Sequence, residues 1–232
     1  MDFEEMRRSA CYAILTLCLC TSPLSSAQEY SLTMELGVAS KYVFRGIELG
    51  DDTLHPSVEF SQGDFYAGAW GALPLENKGW PEGFVDEYDF YAGYGWALDE
   101  RTALDVGGTY YRYPGGSGDS FEGFVGVKRE MGTFTPSLYL YRDFDLDTIT
   151  VELSTDLALP LDALPFETSF FVGRVEASRS GDYSYFGADF IYPIEFNDSA
   201  KLSFGLHYSD HDLGRGIPGN HLYGSASVAV RF

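Results

Sequence analysis

The sequence predicts a closed antiparallel transmembrane β-barrel of about twelve strands with up-and-down topology. Three observations predict it: an apolar leader at the amino terminus, apolar and polar residues that alternate through most of the chain, and a last strand that ends on Phe232. The 26 glycines, 17 tyrosines and 18 phenylalanines among 232 residues agree with β-structure and exclude a disordered chain. A formal net charge of -20 makes a nucleic-acid partner unfavourable.

The leader, residues 1–27, is typical of a secretory signal peptide. Arg7 and Arg8 precede an apolar stretch, and Ser25-Ser26-Ala27 follows it as a small-x-small cleavage pattern. We therefore expect the mature chain to be residues 28–232, exported to the bacterial outer membrane. All three cysteines lie in the leader, at Cys11, Cys18 and Cys20. The mature chain is thus expected to have no disulfide, no thiolate nucleophile and no Cys-zinc site.

The strands are predicted from alternation with a period of two residues. Leu32, Met34, Leu36 and Val38 in the first segment, for example, alternate with polar or small residues. Most segments are close to the roughly 9–11 residues that a tilted strand needs to cross a bilayer. The twelve segments are approximately 30–44, 54–62, 65–73, 85–96, 102–113, 121–130, 133–142, 148–157, 166–175, 183–194, 200–209 and 221–232.

The connections between these segments alternate between short and long, as they do in outer-membrane barrels. The short ones are 62–64, 97–101, 131–132 and 195–199. The longer ones are 45–53, 74–84, 114–120, 176–182 and 210–220. Two connections fit less well, since 143–147 is short for a loop and 158–165 is long for a turn. With an even strand number both termini lie on the short-turn, periplasmic side, which agrees with export through a signal peptide.

The last strand has apolar or small residues at every second position and ends on Val230 and Phe232. We expect these two residues to be the signal that the barrel-assembly machinery recognises. The alternative is an ordinary last strand of a soluble β-sandwich. The outward face argues against that alternative, because its Leu, Val, Phe and Tyr side chains would form a large apolar surface in water. In a bilayer, by contrast, an apolar outer surface is favourable because it contacts lipid.

The alternate residues of each strand, which we call the inward phase, face the lumen and include nine acidic and five basic residues. Ten of them are our candidates for lining a pore: Arg45, Glu59, Glu87, Asp89, Asp105, Glu122, Lys128, Glu152, Asp189 and Lys201. The remaining four are Glu35, Lys41, Glu167 and Arg231. Six tyrosines are also expected to point inward and narrow the lumen: Tyr91, Tyr111, Tyr113, Tyr139, Tyr141 and Tyr185.

Charges in this phase need water or partners, so the lumen is either wet or crossed by ion pairs. We expect a pore for passive diffusion of small hydrophilic solutes, with a modest preference for cations because of the acidic excess. The alternative is a plugged barrel with a structural or surface-interaction role. Arg45 has two interpretations. It forms an ion pair with Glu87 and Asp89 at a constriction, or it is a rim charge in water that contributes little.

A lipid-modifying enzyme is the third possibility, and it would need a serine and a histidine to meet an acid. Ser209 lies two residues from both His207 and His211, but neither an orienting group nor an oxyanion site is evident. Gly-x-Ser-x-Gly and His-Glu-x-x-His motifs are absent from the sequence. We therefore expect no enzyme activity, no catalytic residue and no cofactor.

One pattern resembles a metal site, Asp143-x-Asp145-x-Asp147, which has the spacing of the start of an EF-hand loop. Thr148 and Ser154 stand where the turn glycine and the bidentate glutamate belong. We therefore expect a solvated acidic loop and no specific metal site. Outer-membrane lipid and lipopolysaccharide are expected partners, with weak calcium bridging to acids in the loops.

Four stretches together resemble the TorF-type family of outer-membrane porins. The residues that carry the resemblance are 40–47 (SKYVFRGI), 65–71 (FYAGAWG), 87–94 (EYDFYAGY) and 110–115 (YYRYPG). The resemblance is strongest over residues 32–143, and the segment after Ile47 departs from the family's pattern. It implies an outer-membrane β-barrel with a channel role, and it supplies neither a substrate nor a catalytic residue.

Overall fold

The alternating segments form twelve antiparallel strands in the computed structural model. The structure describes residues 30–75, 85–114, 116, 118–158, 166–178, 181–214 and 216–232. The predicted signal peptide lies outside these residues, as do most of the connections predicted at 74–84 and 158–165. The strands are β1 (Tyr30–Phe44), β2 (Ile47–Gln62), β3 (Phe65–Pro74), β4 (Glu87–Ala97), β5 (Thr102–Arg112), β6 (Ser120–Arg129), β7 (Phe134–Asp143), β8 (Thr148–Ala158), β9 (Glu167–Ala177), β10 (Tyr183–Asn197), β11 (Ala200–His211) and β12 (His221–Arg231).

Each strand pairs with its neighbours in the chain, and β12 pairs with β1 to close the barrel. The closing register runs from Thr33 opposite Arg231 to Ala39 opposite Ser225. Leu32 and Phe232 extend it by exchanging backbone hydrogen bonds of 3.1 and 2.9 Å. The predicted fold class, a closed up-and-down barrel of twelve strands, is confirmed. Closure leaves no sheet edge to pair with another chain.

The outer surface of the barrel is apolar. Met34, Leu36 and Val38 on β1 are exposed, and the same alternation continues around the wall at Phe90, Val125, Leu140, Leu153, Val172, Phe204 and Leu222. The buried side chains are mostly polar or charged, including Glu87, Asp105, Glu122 and His207. This arrangement is the reverse of a water-soluble protein and is typical of a barrel with lipid outside and a polar lumen. No helix in the described part of the chain is long and apolar enough to cross a membrane.

Tyrosines on the inward face lie against glycines of the neighbouring strand. Tyr66 is opposite Gly93, and a Cβ atom added to Gly93 would lie 2.1 Å from the Tyr66 hydroxyl. Tyr139 covers Gly126 and Tyr185 covers Gly173 in the same way, each with 2.2 Å between the ring and an added Cβ. The rings therefore follow the wall. Tyr139, Tyr185 and Tyr91, which lies over Gly68, are thus on the inward face as expected, with their rings along the wall and not straight across the lumen.

The connections largely follow the predicted alternation, with one large difference. Four connections at the end that carries both termini span two to four residues, at 63–64, 98–101, 130–133 and 198–199. The predicted loop at 45–53 is wrong, because β2 already begins at Ile47. Arg45 and Gly46 form a two-residue turn with φ angles of 49° and 83°, as a tight hairpin of type I′ requires.

Candidate functional site

The first two strands leave the barrel wall near their connection. Residues 30–40 of β1 and 53–62 of β2, which we call the wall part, pair with β12 and β3 as far as Ala39 and Thr53. Among the described residues, Lys41–Asp51 have ladder partners only within their own hairpin. We call this segment the inward hairpin. A register shift between Tyr42 and Val43 and a positive φ of 36° at Asp52 mark the place where it bends away.

The tip of the inward hairpin crosses the lumen and reaches strands far from β1 and β2. Gly46 is buried, and a Cβ atom on it would lie 2.8 Å from Cβ of Tyr185 on β10 and 3.1 Å from Cβ of His211 on β11. Glycine is thus required here both by the positive φ and by the close approach. The ring of Phe44 on the other side of the tip lies 6.2 Å from the ring of Tyr111 on β5.

Arg45, at the tip, binds Glu122 on β6. Its Nη1 and Nη2 atoms each donate to a carboxylate oxygen at 2.8 Å, and the Tyr111 hydroxyl donates to the same carboxylate at 3.1 Å. The guanidinium lies 4.7 Å from the ring centres of both Phe44 and Tyr141. Only 12% of the Arg45 side chain is exposed. A planar guanidinium suits such a bidentate and stacked position.

Both sequence-based interpretations of Arg45 are therefore wrong in detail. The residue is at a constriction, but its partner is Glu122 and not Glu87 or Asp89, and it is not a rim charge in water. The reason is geometric. A residue at the end of a wall strand would meet nearby strands, whereas the inward hairpin carries Arg45 past β4 to β6.

Two further contacts hold the inward hairpin. Glu48 accepts from Lys41 Nζ at 2.5 Å and lies 2.9 Å from Nδ1 of His221 on β12. Ile47 packs against a buried cluster of Val175, Tyr183 and Tyr185, which Leu213 also covers. With Tyr42, whose ring lies 5.5 Å from the ring of Trp70 on β3, the hairpin contacts β3, β5, β6, β7, β10 and β12 through side chains. A cavity of about 40 Å³ lies beside its tip, which is room for a few water molecules.

Most inward carboxylates accept hydrogen bonds from tyrosine hydroxyls. Asp105 accepts from Tyr66 at 2.9 Å and from Tyr139 at 3.0 Å. The same pattern recurs for Glu59 with Tyr91 at 3.2 Å, Glu87 with Tyr113 at 3.0 Å and Glu152 with Tyr185 at 2.6 Å. A neutral hydroxyl satisfies the carboxylate without cancelling its formal charge. The wall from β2 to β8 is therefore acidic.

The inward bases bind acids elsewhere in the barrel. Lys128 donates to Asp156 at 2.8 Å, and Lys201 lies 4.0 Å from Glu167. Asp89 follows Glu87 by two residues on the same face of β4, and both are buried. The ten candidate residues thus all belong to the inward phase of the wall or to the inward hairpin. Their role in lining a conducting pore stays a prediction.

His207 lies in a hydrogen-bonded row across β10, β11 and β12. Its Nδ1 is 2.6 Å from Asp189 Oδ1 and its Nε2 is 2.8 Å from Ser225 Oγ. Ser209 is the serine that the sequence placed near His207. Its hydroxyl does not bond His207 but donates to the Phe186 carbonyl at 3.4 Å. Ser225 was missed because only the register of Gly205 opposite Ser225 brings it beside His207. Inward serines at alternate positions of β12 were the available signal.

These distances are those of a nucleophilic serine with its base, but the surroundings do not suit catalysis. His207 is fully buried. Ser225 is in ladders with both β11 and β1, so its own backbone amide belongs to the sheet. Stabilising an oxyanion needs donors that are free to point at it. The row is better described as a structural polar network.

The acidic loop at 143–147 uses its carboxylates internally. Asp143 Oδ1 accepts from the backbone N–H groups of Asp145 and Leu146 at 2.9 and 2.7 Å, and Asp145 accepts from the Phe121 N–H at 2.9 Å. Asp147 pairs with Arg142. Within the described ranges no three His, Cys, Asp or Glu side chains are grouped as a metal site would require.

Comparison with known proteins adds a family and a fold. The model of the family described as "Bacterial protein of unknown function (Gcw_chp)" matches residues 24–217. The chain belongs to this family. No protein with a curated description matches this Gcw_chp chain. The resemblance to the TorF-type family stays a prediction, because the matching description does not use that name.

The Gcw_chp chain is similar in structure to solved outer-membrane porins. The KdgM porin aligns with a TM-score of 0.59 at 8% identity, covering 87% of this chain and 99% of that one. A KdgM porin in complex with disordered oligogalacturonate gives 0.57 at 8% identity, with 87% and 98% covered. The NanC porin gives 0.54 at 10% identity, again with 87% and 98% covered. At such identities the likeness shows the fold, a closed barrel of the porin kind.

Proposed function

We propose that the protein is a porin-like channel of the bacterial outer membrane for passive diffusion of small hydrophilic solutes. The observation that carries the proposal is the reversed pattern of the barrel, with an apolar outer wall and a charged inner wall. A charged inner wall is tolerated only where water or partners solvate it. A barrel with such a wall inside a lipid-facing shell offers a polar path through a membrane.

The predicted signal peptide supports the location, because it would export the chain across the inner membrane. In outer-membrane barrels the short turns face the periplasm. The end with both termini, where four of the five connections span two to four residues, is then periplasmic, and the inward hairpin enters from the outer side. Lipopolysaccharide would surround that outer side. Val230 and Phe232 end the closing strand, and we propose them as the signal for the barrel-assembly machinery.

The tyrosine-bonded carboxylates favour cations as solutes. Asp105, Glu59, Glu87 and Glu152 each accept hydrogen bonds from tyrosine hydroxyls, which are neutral and leave the carboxylate charges to act on the lumen. Oligogalacturonate, found with one KdgM porin, is a chain of acidic sugars. An acidic wall would repel such a polyanion. We therefore propose that small neutral or cationic solutes diffuse through this barrel and that nucleic acids do not.

The second candidate function is a closed barrel with a structural or surface-interaction role. The inward hairpin supports it, since its tip binds β6 on one side of the lumen and lies against β10 and β11 on another. A channel and a closed barrel differ in one property that can be measured, which is ion flow through the lumen.

The test is single-channel conductance of the refolded mature chain, residues 28–232, in a planar lipid bilayer with a salt gradient. Discrete steps with a reversal potential that favours cations support the channel. Asp105→Asn, recorded at pH 8, removes one inward carboxylate and should shift the reversal potential towards zero. Asp198→Asn is the matched control, because Asp198 is exposed in a turn at the periplasmic end. Silence from protein shown to be folded and inserted supports the closed barrel instead.

A further inference from the structure

We propose that the inward hairpin, Lys41–Asp51, is a movable gate that closes the lumen in the conformation seen here. The proposal rests on the proposed channel function and adds how the channel is opened. It needs three properties of the hairpin: a fixed base about which it turns, anchors that can be released, and a position that blocks the lumen.

The base of the hairpin is fixed on both sides. The backbone N–H of Leu75 donates to the Asp52 carbonyl at 2.8 Å, and the N–H of Gly224 donates to the Ser40 hydroxyl at 3.1 Å. The positive φ is at Asp52 itself, and the register shift lies two to three residues beyond Ser40, between Tyr42 and Val43. The change from a tied backbone to a self-paired one is therefore confined to a few residues, as in a hinge.

The anchors beyond this base are side chains. Arg45 binds Glu122 through two hydrogen bonds, Glu48 lies on His221, and Ile47 packs on an apolar cluster. The hairpin's own strand ladder, from Tyr42–Gly50 to Phe44–Ile47, moves with it, and water can bond the backbone groups on its outer edges. The hairpin can therefore swing as a unit, and no ladder between the twelve wall strands has to break when it does.

The closed position blocks the lumen because the tip meets opposite walls at once. Arg45 is bound to β6, while Gly46 lies against β10 and β11. When the tip leaves, several of the side chains that it covers are polar or amphipathic, such as Glu122, Tyr185 and His211. Water can solvate these groups, so the open lumen is a state that the inner wall can support.

A reversible cross-link tests the gate. The mature chain has no cysteine of its own. The double variant Glu48→Cys with His221→Cys places two thiols where the hairpin meets β12, and a short reducible bis-methanethiosulfonate reagent joins them. Single-channel conductance is then recorded before and after reduction of the same sample. Each single-cysteine variant treated with the reagent is the control for modification without a link.

If the hairpin is a gate, the cross-linked protein loses its open steps and reduction restores them. Equal, non-zero conductance in both states overturns the gate and leaves a channel with a fixed constriction. Silence in both states, from folded and inserted protein, overturns the channel and the gate together. If the first pair does not fold, Ile47→Cys with Leu213→Cys links the hairpin through its apolar contact and leaves both ion pairs intact.

Discussion

The two halves of β1 and β2 are held by different forces. The wall part, residues 30–40 and 53–62, is bonded through its backbone to β12 and β3. The inward hairpin, which continues the same two strands, is held by side chains that reach across the lumen. A backbone ladder depends little on which side chains it carries, whereas an anchor such as Arg45 depends on one residue. The difference shows how one hairpin can be both part of a rigid wall and a device that moves.

The largest expected effect on this difference comes from Arg45→Ala. Removing one partner of a buried ion pair leaves Glu122 uncompensated, so docking of the inward hairpin should weaken by about 3 kcal/mol, or roughly a hundredfold. Hydrogen exchange should speed up at backbone amides of residues 43–49 and stay slow at 54–62. Arg101→Ala, at a turn exposed to solvent, is the control. Equal acceleration in both segments would mean that the two halves are not independent.

Gly68→Val acts on the opposite half. A Cβ atom at Gly68 would lie 2.4 Å from the Tyr91 hydroxyl and 2.6 Å from the Val58 carbonyl oxygen. Overpacking of this kind costs about 1–3 kcal/mol, which should appear in the unfolding of the whole barrel by urea. Gly214→Val, where an added Cβ meets nothing within 4 Å, should leave unfolding unchanged. If Gly68→Val changes only the hydrogen exchange of the inward hairpin's amides, the claim that it destabilises the barrel wall is wrong.

Glu48→Gln removes the second anchor of the hairpin and keeps its shape. The amide of Gln keeps an oxygen that can accept a hydrogen bond from His221, so we expect docking to weaken by about 1 kcal/mol, the net worth of one hydrogen bond. Hydrogen exchange at the backbone amides of residues 43–49 should then speed up less than it does in Arg45→Ala. Asp52→Asn is the matched control, since its side chain is exposed beside the hairpin. An effect of Glu48→Gln larger than that of Arg45→Ala would reverse the assignment of the main anchor.

Asp119→Asn lies outside both halves and should have the smallest effect. Hydrogen bonds from the Tyr110 hydroxyl and the Tyr113 backbone N–H lower the pKa of Asp119 in the folded protein. Because the pKa of Asp119 is lower in the folded protein than the ordinary value of about 3.9, the ionised carboxylate stabilises the fold above that pH. This stabilisation is lost as the pH falls through the pKa of Asp119 in the folded protein. Wild type should therefore exceed the variant slightly in stability at pH 7 and match it near pH 2. A gap that widens in acid contradicts this.

Much of the fold was predictable because it follows from a local signal. Alternation with a period of two identified twelve strands and assigned Glu59, Asp105 and Lys128 to the inward phase. The start of β2 was missed because Gly50, Asp51 and Asp52 are turn formers in a sequence. In the structure they lie in a strand whose partner is β1, a tertiary context that overrides local preference.

The partners inside the lumen were harder to predict than the strands. Arg45 and Glu122 are separated by 77 residues, and Ser225 meets His207 only through the register of β11 with β12. Glycines beneath tyrosines also depend on cross-strand register, as with Gly93 under Tyr66. Composition shows that both residue types are abundant, but it does not say which glycine faces which ring.

The separation of Arg45 from Glu122 also bears on the order in which the molecule is made. The first hairpin leaves the secretion machinery before β6, β10 and β12 exist, so none of its anchors is available at that time. Contacts this distant in sequence form late because the intervening chain must be ordered first. Docking of the hairpin therefore reports that every strand is in place. A barrel that is misregistered or incomplete would keep its first hairpin undocked and exposed to proteases, which would mark it for removal.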